Sequence, residues 1–171
     1  MNSRAVNVVI SSLLIFSILI VMMLSTYIWG LSYLRKYKDV ATFEGVKGDM
    51  KVLKASIDMV SHEGKGSRNF IKIHIPEGRL KVNASNDYIA YSMESNAELV
   101  EAGSSVEQQG LELQGEKSPR GKYTTKIIVN YSGTMVDIVG NSSAPKGYYT
   151  IKIDNMGYNT TIDKINVQVE F

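Results

Sequence analysis

The chain has 171 residues, a formal net charge of +2 and no cysteine, and 44% of its residues are hydrophobic. This length allows one compact domain with a helical extension. The net charge is too small to suggest nucleic-acid binding, which needs a concentrated basic surface. The absence of cysteine excludes disulfides, thiolate zinc sites and a cysteine nucleophile.

A long segment without charge follows a short basic leader, residues 1–5. Within it, Val8 to Trp29 would form a helix about 33 Å long, which spans a typical hydrocarbon core. A cleaved secretory signal has a shorter apolar region that ends in small residues. We therefore predict a transmembrane helix over residues 6–34, whose serine and threonine hydroxyls bond back to helix carbonyls. Its membrane-interface anchors are Tyr27, Trp29, Tyr33, Arg35 and Lys36.

The orientation of this helix rests on two opposing signals. The basic residues after the apolar segment would place that flank in the cytoplasm under the positive-inside rule. Four Asn-x-Ser/Thr sequons in the polar region favour an exported and glycosylated surface, although a β domain rich in Ser, Thr and Asn also generates sequons by composition. We predict a single-pass cell-membrane protein with an extracellular C-terminal domain and candidate glycosylation at Asn83, Asn130, Asn141 and Asn159.

Residues 35–61 are predicted to form an amphipathic stalk helix. Its apolar residues recur with spacings of three and four, as in an a/d stripe: Phe43, Val46, Met50, Leu53, Ile57 and Val60. Gly45 and Gly48 weaken the helix near its start and make a bend or a break there plausible. The stripe could pack on the domain that follows or on other subunits, and its short length favours the first interpretation.

Residues 70–171 are predicted to form an extracellular all-β domain, because the apolar period changes to two at Phe70. The first strand would turn at Pro76-Glu77-Gly78, and Asn83 to Asp87 would form the next turn. Further strands are expected at 80–82, 88–93, 98–100, 106–114, 123–131, 134–139, 148–154 and 161–171. The fold class is therefore α+β, with the hydrophobic helix and its amphipathic extension preceding an antiparallel sandwich or jelly-roll-like head.

No pattern of catalytic or cofactor-binding residues is present in the sequence, so we predict a protein that is not an enzyme, with no cofactor and no metal. His62 and His74 have acidic neighbours that could make a weak metal site, but two solvated histidines are the favoured interpretation. Seven tyrosines of the head could line a glycan-binding face or could simply be strand residues: Tyr88, Tyr91, Tyr123, Tyr131, Tyr148, Tyr149 and Tyr158.

The leader "MNSRA", the apolar helix, the stalk and the Asn-rich β head together resemble archaeal type IV pilin-like and archaellin-like surface proteins. The junction "GKGSRNFIKIHIPEGRLKV" is also similar to the start of the first strand in such proteins. The resemblance implies a class III signal peptide that a prepilin peptidase cuts after Arg4-Ala5, which makes Val6 the new N-terminus. Many family members have Gly where this chain has Ala5, and a polar or acidic residue a few positions into the mature helix.

Two functions follow from this layout. In the first, the chain is a major or minor subunit of an extracellular type IV pilus-like filament, with the membrane and other pilin-like subunits, identical or different, as its partners. In the second, the chain stays anchored in the membrane, and its head is a binding module for a glycan, an envelope layer or a partner subunit.

Overall fold

The computed structural model describes residues 3–119, 121–140 and 142–171, with the backbone alone for residues 3–9. It divides into two compact units, Met1–Lys38 and Asp39–Phe171. One helix, α1 (Ser3–His62), begins in the first unit and ends in the second. The strands are β1 (Arg68–Asn83), β2 (Tyr88–Ser95), β3 (Ser105–Gln108), β4 (Leu111–Lys117), β5 (Tyr123–Asn130), β6 (Val136–Val139), β7 (Ser143–Asn159) and β8 (Lys164–Glu170).

The eight strands form one sheet in the order β3-β4-β5-β2-β1-β7-β8-β6. Its neighbouring strands are antiparallel, except that β6 and β8 run parallel. Burial alternates along most strands, so one face of the sheet supplies the core. The predicted α+β class, a long apolar helix followed by a β-rich head, is confirmed.

The stalk part of α1 covers the apolar face of this sheet. Every residue of the predicted stripe is buried, and the stripe belongs to the same core cluster as the inward residues of the strands. The six residues are Phe43, Val46, Met50, Leu53, Ile57 and Val60. Their 3–4 spacing keeps them on one side of the helix, which is why a single helix completes the core. The interpretation that the stripe packs on the following domain is confirmed.

The helix continues through Gly45 and Gly48 without a break. Packing of the stripe outweighs the helix-weakening effect of two exposed glycines, which amounts to about 1 kcal/mol each.

The end of α1 is held by the sheet. The Asn155 side-chain amide donates to the carbonyl oxygens of Val60 (2.9 Å) and Ser61 (3.3 Å), and the Ser67 hydroxyl donates to Val60 O at 2.9 Å. Carbonyls in the last turn of a helix have no partner within the helix. The buried Asn155 therefore satisfies groups that would otherwise be orphaned against the core.

The predicted turn at Pro76-Glu77-Gly78 is wrong, because β1 runs through it with a register shift between Ile75 and Arg79. Gly78 has φ +83°, and a Cβ there would lie 2.2 Å from the Ser92 carbonyl oxygen of β2. The segment is therefore a bulge that bends a continuous strand. The composition Pro-Glu-Gly occurs both in turns and in bulges. The segment is a bulge here because β1 pairs with β7 both before and after it.

Other strand boundaries differ from the predictions. Residues 106–114 form two strands, joined at Gln109 and Gly110, which both have positive φ, as in a tight hairpin. Residues 98–100 are not a strand. The first and last strands begin at Arg68 and Lys164 instead of residues 70 and 161, and β7 begins at Ser143 instead of 148. The predicted turn at Asn83 to Asp87 is confirmed, with a 3-10 helix over Ala84–Asn86.

Candidate functional site

The first candidate site is the apolar surface of α1 between residues 10 and 34. Its large side chains are exposed, apart from the half-buried Leu31, and none of them belongs to the buried core. A helix that is apolar all round is stable only where lipid or other protein surrounds it. This is the one helix of the described residues that is long and apolar enough to cross a membrane.

Two hydroxyl side chains of this segment bond back to helix carbonyls, as predicted. The Ser17 hydroxyl donates to Leu13 O at 2.8 Å, and the Thr26 hydroxyl donates to Met22 O at 2.9 Å. Each hydroxyl thus satisfies its donor within the helix, one turn back. These residues can therefore enter an apolar environment without leaving an unpaired donor.

The predicted interface anchors are all exposed. The rings of Trp29 and Tyr33 stack with centroids 6.4 Å apart and an interplanar angle of 24°, as their i, i+4 spacing allows. Tyr27, Arg35 and Lys36 are also exposed. The change from apolar residues to aromatic and then basic residues is typical of a segment that ends at a membrane interface.

The predicted processing residues Arg4, Ala5 and Val6 lie in the helical backbone of α1. Their side chains fall outside the described residues, so cleavage after Ala5 stays a prediction.

Three sequons share one local geometry. The Asn side-chain oxygen accepts the backbone N–H two residues later at Asn83 (3.1 Å), Asn130 (2.9 Å) and Asn159 (2.9 Å). This is the Asx turn, which places each asparagine where a strand gives way to a turn. The Asn83 amide nitrogen also donates to the Tyr88 hydroxyl at 3.0 Å. The fourth sequon, Asn141, lies outside the described residues.

The two histidines lie in different environments. His62 is the last residue of α1 and is exposed, and its Nδ1 lies 2.6 Å from Asp58 O. His74 is exposed on β1, as predicted, and its ring stacks on Tyr148 of β7. Within the described ranges, no three His, Asp or Glu residues are grouped in a way that could hold a metal ion.

A polar network joins the stalk to the sheet. The Tyr131 hydroxyl donates to Asp58 Oδ1 at 2.9 Å, and the Lys54 ammonium lies 5.6 Å from the centre of the Tyr131 ring. Burial and then the Asp58 carboxylate raise the pKa of Tyr131 above its ordinary value. The phenol is therefore neutral and available as a donor at any physiological pH.

A second polar cluster lies at the turn between β1 and β2. Asp87, with φ +50°, accepts from the Lys164 ammonium and from Ile138 N, at 3.2 Å for the latter. Burial and then the charge of Asp87 raise the pKa of Asp137. One lysine thus balances two neighbouring carboxyl groups, which is a structural arrangement with no feature that points to a substrate.

No protein-family model, curated protein or solved structure matches this chain. The family named above therefore remains a resemblance in layout and in the residues of the N-terminus.

Proposed function

We propose that this chain is a non-enzymatic, pilin-like subunit of an extracellular filament that assembles through α1. The apolar surface of residues 10–34 carries the proposal. Each exposed Leu, Ile or Phe would gain about 1.5–3 kcal/mol from burial. In a membrane that gain comes from lipid, and in a filament it comes from the helices of neighbouring subunits.

The difference in burial between the two parts of α1 supports the filament proposal. The six stripe residues from Phe43 to Val60 belong to the core of the head, whereas none of residues 10–34 does. A subunit that moves from lipid into contact with neighbouring helices needs an apolar surface that is not buried in its own core. The sequons of the head favour an extracellular location for everything after the apolar segment. They outweigh the basic residues Arg35 and Lys36, which favour the cytoplasm under the positive-inside rule.

The second candidate is a permanently anchored extracellular binding module. Residues 10–34 would span about 37 Å as a helix, enough to cross a hydrocarbon core of about 30 Å with some tilt. The aromatic and basic residues that follow are the anchors that a resident membrane helix uses. Under this assignment α1 stays in lipid, and the head meets its partner as a single subunit.

The N-terminus of the native chain, measured by intact-mass spectrometry, tests the processing step. A mature chain that begins at Val6 is expected, and an Arg4→Glu variant should retain the leader because the basic residue before the cut is lost. Ser3→Ala is the matched control and should be processed normally. A native chain that begins at Met1 or Asn2 contradicts prepilin processing.

Electron microscopy of sheared cell-surface fractions tests the assembly. The filament proposal predicts that the processed chain is found in the sheared fraction, in fibres that antibodies to the head decorate along their length. Recovery of the chain in the membrane fraction alone would contradict the filament and support the anchored module.

A further inference from the structure

The polar cluster around Asp87 brings three groups to one carboxyl group. Asp87 lies in the turn before β2, Asp137 and Ile138 lie on β6, and Lys164 begins β8. The Lys164 ammonium contacts Asp87 Oδ2, and the Ile138 N–H donates to Asp87 Oδ1 at 3.2 Å. The carboxyl group of Asp137 also interacts with that of Asp87. The two oxygens of Asp87 therefore have different partners, all within the unit Asp39–Phe171.

The ion pair in this cluster is largely enclosed. The side chains of Lys164 and Asp87 are 23% and 12% exposed. By comparison, the side chains of Lys126 and Lys152, which also pair with carboxylates, are each 33% exposed. Removing water from an ammonium and a carboxylate disfavours both charged forms. A proton that passes from Lys164 to Asp87 leaves a neutral amine, which is a nucleophile, in contact with a neutral carboxylic acid.

The backbone holds the Asp87 carboxyl group in one position. The Asp87 carbonyl oxygen accepts from Tyr131 N at 2.8 Å, and its side chain accepts from Ile138 N. Ile138 is buried in the core of the head. When a nucleophile adds to Asp87 Cγ, negative charge develops on Oδ1, and a buried N–H that already points at this oxygen stabilises that charge. The Ile138 N–H is therefore placed as an oxyanion donor.

Asp137 has the properties of a proton donor to Asp87. Burial raises the pKa of Asp137, and the charge of Asp87 raises it further, while the Lys164 ammonium opposes this effect. Asn166 is the neighbour of Asp137 across the β6–β8 pair. Among the residues that the structure describes, the buried Asn166 Oδ1 has no hydrogen-bond partner. An acceptor without a donor beside Asp137 also favours the protonated carboxyl group.

We propose that Lys164 and Asp87 join in an intramolecular isopeptide bond, which the folded head forms by itself. The Lys164 ammonium first gives a proton to Asp87 Oδ2. The amine then attacks Asp87 Cγ, so that the N–C bond forms and the bond from Cγ to Oδ2 breaks. Asp137 gives its proton to the departing hydroxyl and takes one from the nitrogen. One water leaves, Asp137 ends as it began, and nothing is oxidised or reduced.

This bond would supply the covalent link that a chain without cysteine cannot obtain from disulfides. It would join residues 77 positions apart, the start of β8 and the turn before β2. A link that closes a long loop stabilises the folded state mainly by restricting the unfolded chain. The bond lies wholly within the head, so it does not depend on whether the chain assembles into filaments.

Peptide mass spectrometry tests the bond directly. The full chain is made in a bacterial cell-free extract that adds no N-glycan, inserted into nanodiscs, denatured and digested with trypsin. The bond should join peptide 82–117 to peptide 153–171, with loss of one water, about 18 Da, and with no cleavage after Lys164. Separate peptides 153–164 and 165–171 in place of this product would overturn the proposal. A water lost from peptide 82–117 alone, as in a succinimide, would overturn it too.

Variants test the role of each group. Lys164→Arg keeps the positive charge but stays protonated, so it should abolish the joined product. Asp137→Asn should slow joining by at least about a hundredfold in samples taken at intervals after synthesis, because it cannot give a proton to the hydroxyl. Lys152→Arg, in another ion pair of the sheet, is the matched control and should join at the rate of the parent chain.

Near-ultraviolet circular dichroism shows that each variant compared has a folded head. The proposal is overturned if folded Lys164→Arg still gives the joined product. Joining of Asp137→Asn at the rate of the parent chain would contradict the proton transfer through Asp137, and loss of joining in Lys152→Arg would contradict the assignment of the bond to Lys164.

Discussion

Replacing Leu53 by Ala tests whether the stalk of α1 is part of the head. Leu53 is 0% exposed and lies in the middle of the buried stripe. The substitution removes three buried carbon atoms, which is about 2.4 kcal/mol of transfer free energy at about 0.8 kcal/mol per carbon. The cavity left behind adds to this loss, so the free energy of unfolding should fall by about 3–5 kcal/mol.

Val52→Ala is the matched control, because Val52 is the preceding residue of the same helix and is 54% exposed. Its free energy of unfolding should change by less than about 0.5 kcal/mol. Both variants are unfolded by urea and by heat in nanodiscs, and the tertiary signal of the tyrosines is followed by near-ultraviolet circular dichroism. At about 3–5 °C per kcal/mol for a unit of this size, Leu53→Ala should lower the midpoint by at least about 10 °C.

Equal stabilities of the two variants would refute this account. They would mean that the stripe does not pack on the sheet of its own chain. The other interpretation that the sequence allowed, in which the stripe packs against neighbouring subunits, would then be favoured.

Three further predictions concern the head. Gly78→Ala should lower the free energy of unfolding in urea by about 2 kcal/mol or more, because Gly78 has a positive φ and an added Cβ would clash with the backbone of β2. Gly133→Ala is the control, since Gly133 has open space around it, and its free energy of unfolding should be within about 0.5 kcal/mol of the parent. Asn155→Ala should lower the free energy of unfolding by about 2–3 kcal/mol, because the carbonyls of Val60 and Ser61 lose their hydrogen-bond donor. A loss below about 0.5 kcal/mol would contradict the capping role of Asn155. Tyr131 has a raised pKa in the folded state, so the stability that its neutral hydroxyl contributes is complete below about pH 10 and is lost as the pH rises above this value. Tyr131→Phe should therefore flatten the alkaline decline of the urea midpoint. An unchanged dependence of that midpoint on pH would contradict this role of Tyr131.

Local periodicity was enough to predict the helix and its core stripe. The apolar spacing in residues 43–60 depends only on the helical repeat, so the buried apolar positions could be read from the sequence, whereas the buried Lys47 and Ser56 could not. The alternation around Ile71, Ile73 and Ile75 likewise predicted which residues of β1 face the core. In both cases the pattern and the structure have the same period.

The features that sequence reasoning missed depend on contacts between distant residues. Pro76 to Gly78 has the composition of a turn, and it became a bulge because β7 pairs with β1 on both sides of it. The Asn155 cap joins residues about 95 positions apart. The stack of His74 on Tyr148 likewise depends on the register between two strands, which no local pattern specifies.

The helix α1 carries two apolar patterns that serve different surroundings. In residues 43–60 the apolar residues recur every three or four positions, so the helix has one face for the sheet and another for water. In residues 10–34 no side chain is charged and most are apolar, which leaves no charged face for water and fits surroundings that are apolar on all sides. Asp39 marks the transition, because it is buried and its carboxylate accepts from Asn96 N (2.6 Å) and Asn96 Nδ2 (3.1 Å). The buried part of α1 thus begins directly after the basic residues.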